Sequence, residues 1–299
     1  MPSLAPPPIA LLPFALLLLA VLGLWIHRAL WVGALAAALI VGYVTDALQG
    51  LAALWILVLV ALIWNYRTRA RFDTGSVPGL WRALSGVALF AYAGVLGMAL
   101  LPGFPRTVLF ADLRLSPGAV PYAVALGFPK VGVGILLFGL LHDERVHSWR
   151  ELGGLLRRAA PIFLATALAV MLLTLALGYV RFDPRWTPLF WVWAPINLFF
   201  TCLAEEAFFR GFVQRELAKL GEDRRRSALI ALVVAATLFG SAHFAGGWKY
   251  ALAATLAGLG YGWAYHRTQR LEASMAVHFA LNATHFLFFT YPALAPVTA

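Results

Sequence analysis

Long apolar runs separated by short polar segments follow one another along the chain. About 20 apolar residues, within a range of roughly 17–25, cross a bilayer as a helix. The pattern therefore predicts an all-α fold, a polytopic transmembrane helix bundle with about ten spans (8–10). The predicted spans lie at approximately residues 9–26, 29–47, 50–66, 81–101, 120–141, 159–180, 187–209, 227–244, 248–266 and 273–291.

Two connecting segments carry patterns of their own. Residues 102–119 mix prolines and glycines with apolar residues, which predicts an irregular loop. Residues 142–158 combine several charges with Trp149 and leucines, a mixture typical of a short helix that lies in the membrane interface. We therefore expect a structureless connection before the fifth span and a separate surface helix after it.

The overall composition supports a membrane protein. Hydrophobic residues make up 62% of the chain and charged residues 12%, whereas soluble domains carry about 25% charged residues. A chain with so few polar groups cannot cover its apolar surface in water, so the lipid bilayer is its expected surrounding. The net charge of +10 does not indicate a nucleic-acid partner, because the basic residues lie in short runs between apolar stretches.

The distribution of Lys and Arg predicts the orientation in the membrane. Alternate loops hold 17 of the 23 basic residues, the opposite loops hold five, and Lys130 lies inside the fifth predicted span. Cytoplasmic loops are the ones enriched in Lys and Arg. We therefore expect both termini on the non-cytoplasmic side. Because the chain is rich in Ala, Leu, Arg and Gly, the bacterial inner (plasma) membrane is the expected location.

The strongest chemical signal is a charged run near the end of the seventh predicted span. Glu205 and Glu206 are adjacent, and Arg210 follows Glu206 at a spacing of four residues. Residues at this spacing share a helix face, so Glu206 and Arg210 can form an ion pair while Glu205 points elsewhere without an obvious partner. The alternative without a functional role is a pair of glutamates that reach water at the end of the span.

Three further polar residues follow on later spans. His243 comes four residues after Phe239, at the far end of the eighth predicted span. His278 and Asn282 are also four residues apart and share one face of the tenth span. Ionisable residues inside a span are costly and mark functional sites by default. The bland alternatives are a histidine at a helix end and a polar seam between packed helices.

Together these motifs resemble those of the CPBP family, which contains the CAAX prenyl endopeptidases, among them the Ras-converting one, and the bacteriocin-processing enzymes. The family pattern EExxxR, FxxxH and HxxxN is matched in order, over roughly residues 120–291. We accordingly divide the chain into N-terminal accessory transmembrane helices (1–119) and a catalytic transmembrane core (120–299).

The resemblance implies a glutamate-dependent intramembrane endopeptidase that hydrolyses a peptide bond near the C-terminus of a membrane-associated protein. It implies that Glu205 activates water, that His243 orients it, and that His278 and Asn282 stabilise the oxyanion. Glu206 and Arg210 would support the site. No cofactor or metal is then needed. A difficulty is that the predicted spans place Glu205 and His243 towards opposite faces, unless the seventh helix starts near residue 193 and continues past Arg210.

Other functions remain open at this point. Glu205, His243 and His278 could be the ligands of a zinc-dependent protease, although the chain has no HExxH pair. The same residues could line an ion or proton pathway in a transporter, which predicts inverted repeats that the sequence does not show. A non-catalytic protein of the immunity type is a third alternative.

Overall fold

The protein, examined as a computed structural model, is described over residues 6–72 and 79–295. It is mostly helical, with 71% of residues in helices. The helices are α1 (Pro8–Gly23), α2 (Arg28–Val44), α3 (Ala52–Phe72), α4 (Leu80–Gly97), α5 (Phe128–Leu141), α6 (Trp149–Ala176), α7 (Phe190–Leu217), α8 (Arg224–Ala242), α9 (Trp248–Thr268) and α10 (Leu271–Phe288). Two short strands, β1 (Thr107–Leu113) and β2 (Tyr122–Leu126), separate α4 from α5.

Helices suited to a membrane confirm an integral membrane protein, but about ten spans are not confirmed. In the described part of the chain, five helices are both long and apolar enough to cross a bilayer: α3, α4, α6, α7 and α8. The helices α1, α2 and α5 are apolar but shorter. Every predicted span nevertheless overlaps a helix. The apolar pattern therefore predicted where the helices lie, but not which of them are long and apolar enough to cross a bilayer.

The prediction is wrong between residues 102 and 141. The segment expected to be an irregular loop contains β1, which pairs antiparallel with β2, from Thr107 opposite Leu126 to Leu113 opposite Tyr122. The fifth predicted span therefore begins as a strand, and its helix covers only 14 residues. Pro129 lies in the first helical turn, where a proline is tolerated because its missing N–H needs no partner there.

The expected surface helix at residues 142–158 is also wrong. Its second half is the first part of α6, a continuous helix of 28 residues. Ser148 caps this helix by accepting a hydrogen bond from the Glu151 backbone N–H, and the Glu151 carboxylate accepts one from the His147 backbone. This reciprocal cap fixes the start of the helix at Trp149.

One end of the bundle carries an ordered covering, here called the cap. It consists of the β1–β2 hairpin, the connection between α6 and α7, and residues 289–295. Backbone hydrogen bonds tie the three pieces together: Val120 donates to Ala293, Ala295 donates to Gly118, and Leu294 donates to Tyr179. Arg185 reinforces this arrangement by donating to the carbonyls of residues 286 and 289. The cap thus lies beside the final turn of α10.

Candidate active site

The charged run lies in the middle of α7, in a locally irregular part of the helix. Residues 203–208 form a regular α-helical segment, and a π-helical segment lies on each side of it, Asn197–Cys202 and Phe209–Gln214. Single π-turns in α-helices are frequent at functional sites. At 1.5 Å per residue, Glu205 lies about 22 Å from the start of α7 and about 18 Å from its end, so it is at mid-depth.

Glu206 and Arg210 form a fully buried pair. Their side chains have no exposed surface, and Arg210 Nη1 lies 3.2 Å from Glu206 Oε1. Arg210 Nη2 donates to the Gly258 carbonyl at 2.8 Å. A Cβ on Gly258 would lie 3.2 Å from this guanidinium, so a glycine suits the close approach of α9 to α7. The guanidinium also lies over the ring of Phe239 at 4.8 Å.

His278 connects the two glutamates. Its Nδ1 lies 2.7 Å from Glu206 Oε1, and its Nε2 lies 3.7 Å from Glu205 Oε2. Its ring stacks on Tyr261 with centroids 4.3 Å apart, which holds the imidazole plane. The carboxylate of Glu206 accepts a hydrogen bond from Nδ1–H, so Nε2 is the atom that His278 presents towards Glu205.

Glu205 has a partner that the sequence did not suggest. Lys130, near the start of α5, places its Nζ 2.5 Å from Glu205 Oε1. The expectation that Glu205 lacks a partner is therefore wrong, because the cation comes from a helix 75 residues away along the chain. A lysine inside an apolar stretch was the available signal, since such a residue is costly unless it is paired.

The structure resolves the difficulty over His243. Helix α7 starts at Phe190 and continues to Leu217, so Glu205 lies near the middle of the helix and not near its end. Both Glu205 and His243 line the same two cavities. His243 follows the last residue of α8 and donates from Nδ1 to the Phe239 carbonyl at 2.7 Å. This bond leaves Nε2 with a lone pair that can accept a hydrogen bond.

Asn282 lies one turn along α10 from His278. Its amide Nδ2 donates to Asn197 Oδ1 at 3.1 Å and lies 3.9 Å from the sulfur of Cys202. Cys202 in turn lies 3.4 Å from Asn197 Oδ1. Asn197 is thus a further polar member of the site. It was missed because its spacing of five residues from Cys202 brings them together only in a π-helical turn.

Two cavities meet at Glu205. The first, here called the polar cavity, has a volume of about 560 Å³ and is lined by Lys130, Asn197, Glu205, His243, His278, Asn282 and His285, together with cap residues. The second, here called the apolar groove, has a volume of about 510 Å³ and is lined by Phe90, Ala93, Gly94, Met98, Phe208 and Leu238 among others. Lys130, Glu205 and His243 line both. Helix α4, from the N-terminal part of the chain, therefore supplies one wall of the groove.

The three candidate zinc ligands, Glu205, His243 and His278, all line the polar cavity. Within residues 6–72 and 79–295, no group of three or more His, Cys, Asp or Glu side chains is placed to hold a metal ion. His243 directs Nδ1 to a backbone carbonyl, and His278 directs Nδ1 to Glu206. The remaining atoms face the polar cavity, where they can bind water or substrate.

The C-terminal part of the chain matches a known family model. Residues 185–284, about a third of the chain, match the family model described as "Type II CAAX prenyl endopeptidase Rce1-like". The matched segment contains Glu205, Glu206, Arg210, His243, His278 and Asn282. Searches of the curated proteins and of the solved structures found no match. The match confirms the resemblance to the CPBP and CAAX protease family, a family of intramembrane proteases. Lys130 lies outside the matched residues.

Proposed function

Since residues 185–284 belong to the Rce1-like CAAX protease family, we propose that this chain is an intramembrane endopeptidase in which Glu205 activates water. The observation that carries the proposal is the position of Glu205 at the junction of the polar cavity and the apolar groove. This carboxylate is partly accessible, whereas the adjacent Glu206 is fully buried. Water can reach the first carboxylate and not the second.

Glu205 acts as the general base. The ion pair with Lys130 favours the carboxylate form, which is the form that accepts a proton. Glu205 takes a proton from water in the polar cavity, and the water oxygen bonds to the scissile carbonyl carbon. His243 orients this water by accepting its second hydrogen bond at Nε2. When the C–N bond breaks, Glu205 returns the proton to the leaving amine.

His278 and Asn282 stabilise the oxyanion that forms on the former carbonyl oxygen. Both line the polar cavity. His278 Nε2 faces the cavity because Nδ1 donates to Glu206, and the stacked Tyr261 ring prevents rotation. Nε2 donates to the oxyanion when His278 is the imidazolium, which carries a proton on both nitrogens. Donors that are held in place before the charge develops contribute most to such stabilisation. Glu206 and Arg210 then have a supporting role, since they fix the orientation of His278.

The substrate class follows from the two cavities. A peptide bond near the C-terminus of a membrane-associated protein would lie in the polar cavity, while an adjoining apolar portion of the same substrate would lie in the apolar groove. The groove is lined almost entirely by apolar side chains, and its wall on α4 is made partly of small residues. Burial of apolar surface in such a groove would hold the scissile bond at Glu205.

The first experiment compares C-terminal peptides from cells that contain either the wild-type protein or Glu205→Gln. Glutamine has nearly the same shape but cannot accept a proton from water. We expect specific new C-termini to disappear in Glu205→Gln and to persist in the matched control Glu222→Gln, which alters an exposed carboxylate outside the site. Identical sets of peptides in all three strains would contradict the proposal.

The second experiment tests metal dependence. In the proposed mechanism Glu205 needs no bound ion, so purified enzyme keeps its activity after treatment with EDTA or phenanthroline. Replacement of His243 or His278 should reduce activity to different extents rather than remove it together with a metal. One tightly held zinc ion per chain, lost together with activity on chelation, would replace this mechanism by the zinc-dependent alternative.

A further inference from the structure

The distribution of charge along the helices gives the bundle two unlike ends. At one end lie the start of α6, the end of α7, the start of α8, the end of α9 and the start of α10. Ten of the basic residues are found there: Arg150, Arg157, Arg158, Arg215, Lys219, Arg224, Arg225, Arg226, Arg267 and Arg270. The opposite end, which carries the cap, has few. Lys and Arg accumulate on the cytoplasmic side of membrane proteins, so the end rich in Arg is cytoplasmic.

The polar cavity belongs to the opposite end. Its lining comes from the last turns of α6 and α8, the start of α5, the part of α7 down to Glu205, α9 as far as Tyr261, and α10 from His278 onwards. Most of these residues lie in the half of the helix that is remote from the Arg-rich loops, and Glu205, Tyr261 and His278 lie near the middle of theirs. Residues of the cap and of the segment just before it complete the lining, among them Arg106, Tyr122, Tyr179 and Pro292.

No lining residue of the polar cavity comes from the Arg-rich loops. The lining reaches from Glu205, at mid-depth, to the cap. Towards the cytoplasm, the buried pair of Glu206 and Arg210 follows, and then Gln214, whose amide donates to the Gly262 carbonyl at 2.9 Å. This packed layer separates Glu205 from cytoplasmic water.

We infer that the catalytic cavity opens on the non-cytoplasmic face of the membrane. The inference rests on the proposed function only in that Glu205 is taken as the reactive group. It narrows the substrate class to proteins whose scissile segment is exposed on that face, such as an exported or membrane-anchored chain. A tail that stays in the cytoplasm would have to cross the packed layer of Glu206, Arg210 and Gln214 to be cut.

The test is thiol labelling in intact cells with a membrane-impermeant, sulfonated methanethiosulfonate, in a Cys202→Ser background. Three single cysteines are compared. Thr201→Cys lies within the polar cavity, Arg106→Cys lies at its cap end, and Arg225→Cys is exposed at the Arg-rich end. We expect the first two to react in intact cells at least ten times faster than Arg225→Cys, which should react only after the membrane is permeabilised.

Two results would overturn the inference. One is reaction of Arg225→Cys in intact cells with no reaction of Arg106→Cys. The other is a Thr201→Cys that reacts only after permeabilisation or in neither preparation, although Arg106→Cys shows that the protein is correctly inserted. The labelling is repeated in the Glu205→Gln variant, which lacks the proposed base but keeps the cavity. Failure of the catalytic proposal and failure of the orientation are therefore separately visible.

Discussion

Two charged clusters are built around the adjacent glutamates of α7, and they differ in their access to water. The buried cluster contains Glu206 and Arg210, whose side chains have no exposed surface. The cavity cluster contains Glu205 and Lys130, whose side chains are 11% and 41% exposed. Residue type is nearly the same in both, a carboxylate paired with a cation. The difference in position gives one pair a structural role and leaves the other available for chemistry.

The largest expected effect is on the cavity cluster. Glu205→Gln should lower kcat/KM by about 10⁴-fold, the upper end of what a general base contributes, or about 5.4 kcal/mol in the barrier. The variant should unfold at a temperature close to that of the wild-type protein, because the site already opens to water. Activity and thermal unfolding are measured on the same purified sample. Wild-type activity in Glu205→Gln would contradict the role of Glu205 as the general base.

The buried cluster should respond in the opposite way. Glu206→Gln leaves the Arg210 charge buried without its carboxylate, a change that costs about 3–5 kcal/mol of stability when a buried pair is broken. Arg210→Gln should have a similar effect, because it leaves Glu206 unpaired. Unfolding in detergent, followed against denaturant concentration, measures both. If either variant unfolds like the wild-type protein and loses only activity, the structural role is wrong.

Asn282 should have a smaller effect than Glu205 on catalysis. Asn282→Ala removes one proposed oxyanion donor, which typically lowers kcat by about 10²–10³-fold. Residual activity should remain, since His278 is still present. Asn197→Ala is the matched control, because it removes the hydrogen-bond partner of Asn282 and keeps the donor itself. Equal and complete loss in both variants would indicate collapse of this part of the site.

The smallest expected effect at neutral pH concerns His142, which lies in the loop after α5. Burial, and then the nearby Arg215 charge, lower the pKa of His142 from 6.5 to about 3, while the ring donates from Nε2 to the Gly211 carbonyl. The unfolded chain therefore binds more protons between these values. The contribution to stability is complete above pH 6.5 and is lost progressively as the pH falls towards 3.

His142→Gln tests this effect, because an amide can keep the donor without titrating in that range. The free energy of unfolding of this variant should depend less on pH between 3 and 6.5 than that of the wild-type protein. Parallel pH curves for the two proteins would exclude His142 as the source. A difference between the two pH curves would come from His142 and not from the two charged clusters, because both clusters are the same in the two proteins.

Sequence patterns predicted the helices and the pairing of Glu206 with Arg210, because both depend on spacing within one short stretch of the chain. Apolar runs locate helices, and residues four apart on a helix share a face, as Glu206 and Arg210 do. The partner of Glu205 could not be predicted in the same way. Lys130 approaches from α5, so the contact depends on how helices pack rather than on spacing within one helix.

The hairpin and the count of spans were beyond the same reasoning. Residues 120–141 are apolar except for Lys130, and apolarity alone does not distinguish a buried strand from a helix. Helices α9 and α10 were predicted to span the membrane, but they are not among the helices apolar enough to do so. Both line the site and carry polar residues such as His278. Helices that pack against other helices need not be apolar on every face, so their sequence resembles that of soluble helices.

The two π-helical segments of α7 have a consequence for how this site can change. A π-turn accommodates one residue more than an α-turn, and one residue corresponds to a rotation of about 100° about the helix axis. Loss of a single residue within Asn197–Cys202 would therefore convert the π-turn into an α-turn and leave the residues on both sides facing as before, whereas the same loss within residues 203–208 would rotate one side of the helix by about 100°. The π-turns can thus absorb the loss of one residue while the side chains on either side of them, Glu205 among them, keep facing the cavity.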